Sequence, residues 1–115
     1  MGPGELLRWQ WRNYPGNHMT RGNLLLHIFT VPFFWAGTVC LVLGLVDLSW
    51  RFLVLGPVCI LVPLIAQGRG HKLEPNPPAK FTSPWNFIAR LFLEQWITFP
   101  RFVFSGGWWR NYKSG

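Results

Sequence analysis

The sequence predicts an all-α membrane protein: a transmembrane helical hairpin plus a third amphipathic or membrane-embedded helix. Three observations predict it. Half of the 115 residues are apolar and only 13% are charged, against about 25% charged in soluble domains. Two apolar runs are separated by a short polar turn. Ten of the eleven Lys and Arg residues lie before Leu24 or after Ala66, and the exception, Arg51, shares the turn with Asp47. The length fits a single domain, residues 1–115.

Residues 1–22 read as a polar, aromatic, basic lead-in without the pattern of a signal peptide. Residues 23–46 are the first predicted span. From position 24 onward this run is apolar except for His27, Thr30 and Thr38. As a helix it reaches roughly 34 Å, enough for a hydrocarbon core of about 30 Å. Asp47, Ser49 and Arg51 mark the turn. The second apolar run, 52–66, reaches only about 22 Å alone. It spans when extended to residues 50–71, with kinks expected at Pro57 and Pro63.

A stretch rich in Pro, Gly and charge follows, and Pro75, Pro77 and Pro78 exclude a regular helix there. Ser83 then Pro84 is a helix start, a cap followed by proline in the first helical position. In the helix predicted over 84–99, Asn86, Arg90, Glu94 and Thr98 recur every four residues. Such a narrow polar stripe either lies in the interface or packs against partner helices. Pro100 is expected to kink or end the helix. Residues 106–115 are an aromatic and basic tail.

The formal charge is +7. With no nucleic-acid reading motif or soluble basic face, this charge suits anionic headgroups. Membrane lipid is therefore the expected partner, and nucleic acid is not. The placement of Lys and Arg puts both termini in the cytoplasm, as an integral protein of a bacterial inner membrane or the endoplasmic reticulum. Trp9, Trp11, Trp85, Trp108 and Trp109 read as interfacial anchors, with Trp50 at the opposite interface. Gly37 and Gly44 permit close helix approach. Cys40 and Cys59, inside the apolar runs, read as small apolar residues.

The chemistry rests on three histidines, His18, His27 and His71. With the turn centred near Ser49, His27 lies 22 residues before it and His71 lies 22 after it. An antiparallel hairpin sets those positions opposite each other at one depth. His18, just before the first span, can fold back to the same level. Neutral imidazole is the commonest protein ligand for iron, zinc and copper, so convergence of the three points to a metal site; the alternative is that each histidine caps a helix or sits at the interface. Asn23 shares a helical face with His27, and Gln67 shares one with His71. Glu74 and Glu94 are the carboxylates available to complete a non-heme iron site or to orient a ligating imidazole. The alternative role for Glu94 is a simple i,i+4 pair with Arg90.

Two ordered motifs carry a resemblance. Residues 18–32 follow H-x4-N-x3-H-x4-P, and residues 67–79 follow Q-x2-GH, then an acid, then Pro-Ala. Together they resemble the family of small membrane proteins that includes the fungal 2-hydroxy fatty acid dioxygenase of phytosphingosine breakdown. The resemblance implies a non-heme iron(II) cofactor, dioxygen as co-substrate, and α-oxidation of a fatty-acyl substrate with loss of one carbon. It implies that His18, His27 and His71 ligate the iron, with Asn23 and Gln67 supporting them and Glu74 at the family's acidic position. For the substrate carboxylate, Arg69 or Lys72 is the expected cation. The fungal enzyme is longer and has more apolar segments, so a homo-oligomer is among the expected states of this chain. A different class of function, a non-enzymatic membrane protein supporting a lipid complex, is the alternative.

Overall fold

In the computed structural model, which describes residues 1–115, six α-helices and one π-helical turn account for the fold and there is no strand. Helix α1, Pro3–Asn17, occupies what reads in sequence as a featureless lead-in. Pro3 starts it, where no N–H is needed. Leu6, Gln10 and Tyr14, four residues apart, form its buried stripe. The stripe escapes a hydrophobicity reading because its middle residue is polar.

Helix α2, Arg21–Asp47, begins at Thr20, whose hydroxyl accepts the Asn23 N–H at 3.4 Å. It ends at Leu48, left-handed at φ +51°, and the Ser49 N–H closes the last turn on the Gly44 carbonyl at 3.1 Å. Helix α3, Trp50–His71, covers the extended range expected of the second span and continues through Pro57 and Pro63. Both helices are long and apolar enough to cross a membrane. Only 22% and 17% of their most apolar stretches are buried. A core helix of a water-soluble fold is mostly buried, whereas the outer faces of these two present Phe29, Phe33, Val58 and Leu61.

Small residues draw the two together. A Cβ on Gly37 would stand 2.8 Å from the Gly56 carbonyl and 2.9 Å from the Cys59 side chain, and one on Gly44 would stand 2.9 Å from the Leu53 nitrogen. Gly37 and Gly44 thus act as the sequence suggests, and Gly56 and Cys59 provide the facing surface.

Helix α4, Pro84–Leu93, starts at Ser83, whose hydroxyl accepts the Asn86 N–H at 3.0 Å. It leads through the π turn Glu94–Thr98 into α5, Phe99–Phe104. Pro100 does not end this segment. In the π register Phe99 N–H bonds to the Glu94 carbonyl. Residue 100 would then serve Gln95, but proline has no N–H. The Trp35 indole supplies the missing donor, reaching the Gln95 carbonyl at 2.6 Å. The polar stripe faces inward: Arg90 and Thr98 are buried against α1, where Thr98 bonds to Gln10. Of the two placements the stripe allows, the structure shows packing against partner helices.

The expected tail is helix α6, Gly107–Ser114, entered through Gly106 at φ +86°. Trp108 donates to the Leu24 carbonyl at 3.0 Å, and the Asn111 amide donates to Pro15 and His18 carbonyls at 2.9 Å. Both terminal segments therefore sit at the end of the hairpin where α2 begins and α3 finishes. Trp108 and Trp11, the latter under the Arg101 guanidinium at 4.0 Å, are used within the protein. Trp50, Trp85 and Trp109 remain exposed as anchors would be.

Candidate metal centre

The hairpin brings His27 and His71 face to face, with ring centroids 4.9 Å apart. His18, in the corner between α1 and α2, completes the triangle at 4.6 Å from His27 and 4.8 Å from His71. Glu94 enters from the π turn, its Oε2 at 3.4 Å from His18 Nε2 and 3.5 Å from His27 Nε2. One ligand atom from each of the four residues falls within 4.8 Å of all the others.

Backbone carbonyls set the tautomers. His18 Nδ1–H donates to the Tyr14 carbonyl at 2.9 Å and His27 Nδ1–H donates to the Asn23 carbonyl at 3.0 Å. Each Nε2 then carries a lone pair aimed at the centre, the orientation that ligating histidines show. His18 Nε2, His27 Nε2 and His71 Nδ1 are buried with no hydrogen-bond partner. Buried polar atoms left so are rare and costly. Two lone pairs and a carboxylate facing each other at 3.4–3.5 Å become favourable only around a proton or a cation. Ligand bonds of about 2.1 Å place neighbouring donors roughly 3–3.5 Å apart, so these residues fit a small metal ion. Three imidazoles and a carboxylate are donors that zinc, copper, nickel and iron all accept.

Tyr14 was not evident from sequence. Its hydroxyl donates to Glu94 Oε2 at 2.8 Å and its ring stacks on His18 at 3.8 Å. Burial, with the Glu94 carboxylate beside it, pushes the phenol well above its ordinary value, so it remains a donor. Burial also lowers His18 and favours the neutral, ligating form. For Glu94, burial acts to raise the carboxyl, but a proton carried by the facing His18 or His27 nitrogen prevails and holds it well below the usual range. Gln95, also unforeseen, pairs reciprocally with Gln67 at 2.6 and 3.0 Å, and Gln67 reaches the Thr30 hydroxyl at 3.0 Å. This buried pair pins the π turn, and with it Glu94, to α3.

A family model described as "2-hydroxy-palmitic acid dioxygenase Mpo1-like" matches residues 5–101, which include the three histidines and Glu94. The chain belongs to this family. No curated protein and no solved structure matches it. The family's description names a dioxygenase, in keeping with a site that has the donors for a metal.

The remaining expected site residues fall elsewhere. Glu74 lies outside the cluster, and its oxygens are taken by Met19 N–H (2.7 Å), Thr20 N–H (3.0 Å), the Thr20 hydroxyl (2.8 Å) and the Asn23 amide (2.8 Å). It clamps the α1–α2 corner and orients Asn23, whose carbonyl holds His27. Three of these four donors meet Oε2 and one meets Oε1, so the carboxylate is engaged at the corner. Burial acts to raise its carboxyl, but those hydrogen bonds win and lower it. A lowered folded value means stability present above the unfolded pKa and lost as pH falls through the folded one. Glu74→Gln is expected to cost roughly 1–3 kcal/mol, because the amide leaves clustered donors without an acceptor. Thermal unfolding in detergent should show the loss at neutral pH, narrowing as the wild type is acidified.

Arg69 and Lys72, the expected cations for the substrate carboxylate, are absent from the walls of the cavity at the centre. A cavity of about 420 Å³ ends on Tyr14, His18, His71 and Glu94, and neither cation lines it. Arg69 follows Gln67 by two residues, which turns it to another side of α3, beside Leu26, Val62 and Ala66. The cation in the cavity wall is Arg90. Nor is Arg90 the ion-pair partner of Glu94. It donates to the Ala79 carbonyl at 2.7 Å, Lys80 carbonyl at 3.2 Å and Asn86 at 3.4 Å, under Phe81 and Trp9.

Proposed function

We propose that the chain is an iron(II)-dependent dioxygenase of 2-hydroxy fatty acids. The observation that carries this reading is the convergence of His18, His27, His71 and Glu94, with unpartnered nitrogens, at the end of an otherwise mostly apolar cavity. The overall reaction balances without an added reductant. A 2-hydroxy acid and dioxygen give the acid one carbon shorter, carbon dioxide and water, the substrate supplying all four electrons.

His18, His27, His71 and Glu94 would hold the iron. When bound, iron(II) supplies the redox chemistry toward dioxygen that amino-acid side chains lack. The Tyr14 and Asn23 carbonyls keep the imidazoles in their ligating tautomer. The Tyr14 hydroxyl keeps its proton on Oη and shares it with Glu94 Oε2, which fixes the carboxylate. Arg90 is the one cation lining the cavity and the candidate to draw in a carboxylate. Both terminal segments lie at the histidine end of the hairpin, so the cytoplasmic placement of the termini would put the site on that side too.

Protein purified in detergent and loaded anaerobically with iron(II) should convert a 2-hydroxy fatty acid under oxygen to the acid one carbon shorter. Chain lengths from short to long need testing. No product with any of them, from protein shown to carry iron, would overturn the activity.

A further inference from the structure

The cavity has a direction. Its polar end is the histidine cluster at the last turn of α3. Its other lining from that helix, Leu64, Ile65, Gln67 and Gly68, lies up to seven residues earlier, roughly 10 Å deeper along the helix. That is inside the stretch long and apolar enough to cross a membrane. Across the cavity stand Phe87 and Leu91 of α4. Helix α3 packs along α2 but makes no comparable contact with α1 or α4, and the gap between them is the cavity. Its rim is exposed, with Ile65 60% and Phe87 37% accessible, so it opens sideways on the apolar face of the hairpin.

Gly68 sits on this rim and differs from the other glycines of the hairpin. Gly37, Gly44, Gly56 and Gly70 are closed in by the partner helix, whereas a Cβ on Gly68 would meet nothing within 4 Å. Helix packing does not require glycine there, and glycine within a helix is destabilising by about 1 kcal/mol relative to alanine. What glycine provides at this position is open space in the cavity wall.

We infer that the site is loaded sideways from the bilayer: a single acyl chain passes between α3 and α4, and Gly68 keeps that slot open. This inference rests on the proposed function for the identity of the headgroup. The chain lies against Leu64, Ile65, Phe87 and Leu91 while the hydroxy-acid end reaches the histidines. A volume of about 420 Å³ is in the range of pockets for one small ligand and suits a single-chain lipid.

The test uses the full chain in lipid nanodiscs and a 2-hydroxy fatty acid carrying a mid-chain diazirine, with crosslinks mapped by mass spectrometry. Labels are expected on the peptides holding residues 64–68 and 87–91. Gly68→Leu should reduce this labelling at least tenfold, and Gly68→Ala should fall between. Thermal stability of the leucine variant should be unchanged or higher, because leucine favours the helix. Iron content should be unchanged in both. Undiminished labelling in a folded Gly68→Leu protein would overturn the inference, as would labels confined to the groove at Leu26, Val62 and Arg69. Labelling does not require turnover. Correct labelling without product would remove the proposed activity alone, and product formation insensitive to Gly68→Leu would remove the lateral route alone.

Discussion

His27→Ala is expected to reduce metal affinity by more than about 100-fold, beyond the 10–100-fold typical of losing a group behind a ligand. His27 is fully buried, its Nδ1 is committed to the Asn23 carbonyl, and its Nε2 has no other partner. The alanine variant thus removes a pre-oriented donor that no neighbour replaces. Tyr14→Phe keeps all four donors but frees Glu94 from its hydrogen bond, so a smaller loss, within that 10–100-fold range, is expected. Arg69→Ala should leave affinity unchanged. Anaerobic iron(II) titration, with metal counted per chain, measures all three. A thermal readout runs in parallel: at metal concentrations near 100 times Kd, binding stabilises a fold by about 2.7 kcal/mol. Added iron should raise the melting temperature of the wild type and not of His27→Ala. Equal metal content in wild type and His27→Ala would mean that the cluster is not the binding site.

How much of this was legible in the sequence follows from the kind of signal each residue leaves. The hairpin was legible because bilayer thickness imposes a length on apolar runs, and the turn at Ser49 then fixes the register. The 22-residue symmetry sufficed to bring His27 and His71 to 4.9 Å. Helix α1 was not legible because Gln10 interrupts its stripe, and without α1 there was no reason to place Tyr14 at His18. Between the two carboxylates, the family motif pointed to Glu74 and the helical stripe to Glu94. Only the folded corner shows that Glu74 is spent on four donors. The π turn was hidden as well, since Pro100 reads as a stop. Its rescue by the Trp35 indole involves a residue 65 positions away. For the cations, proximity in sequence to His71 favoured Arg69 and Lys72. Helical rotation turns Arg69 toward another groove, and the cation lining the cavity is Arg90, from a helix that sequence distance alone would not connect.

Gly37→Leu is expected to cost about 3 kcal/mol or more and to weaken metal binding without touching a ligand. The Cβ would stand 2.8 Å from the Gly56 carbonyl oxygen and 2.9 Å from the Cys59 carbonyl carbon and Cβ. Two of these three atoms are backbone in a facing helix, so no side-chain rotation can relieve the contact. The reciprocal position is as tight, with a Cβ on Gly56 2.8 Å from the Leu41 nitrogen. Overpacking a well-packed interior costs about 1–3 kcal/mol for added methylenes, and a leucine adds several against atoms that cannot yield. In a bilayer, helix association depends on such close packing because lipid removes most of the hydrophobic drive between helices. The remaining response is separation of α2 and α3. His27 lies ten residues from Gly37 along α2, about 15 Å, so the same interface that seats the glycines sets the gap between His27 and His71. Gly68→Leu makes the informative contrast, because it adds the same side chain to the same hairpin where the new Cβ meets nothing within 4 Å. The expected pattern is loss of both melting temperature and iron affinity for Gly37→Leu, and of neither for Gly68→Leu. Iron affinity retained in a Gly37→Leu protein of lowered stability would show that His18 and Glu94 hold the centre together independently of the hairpin.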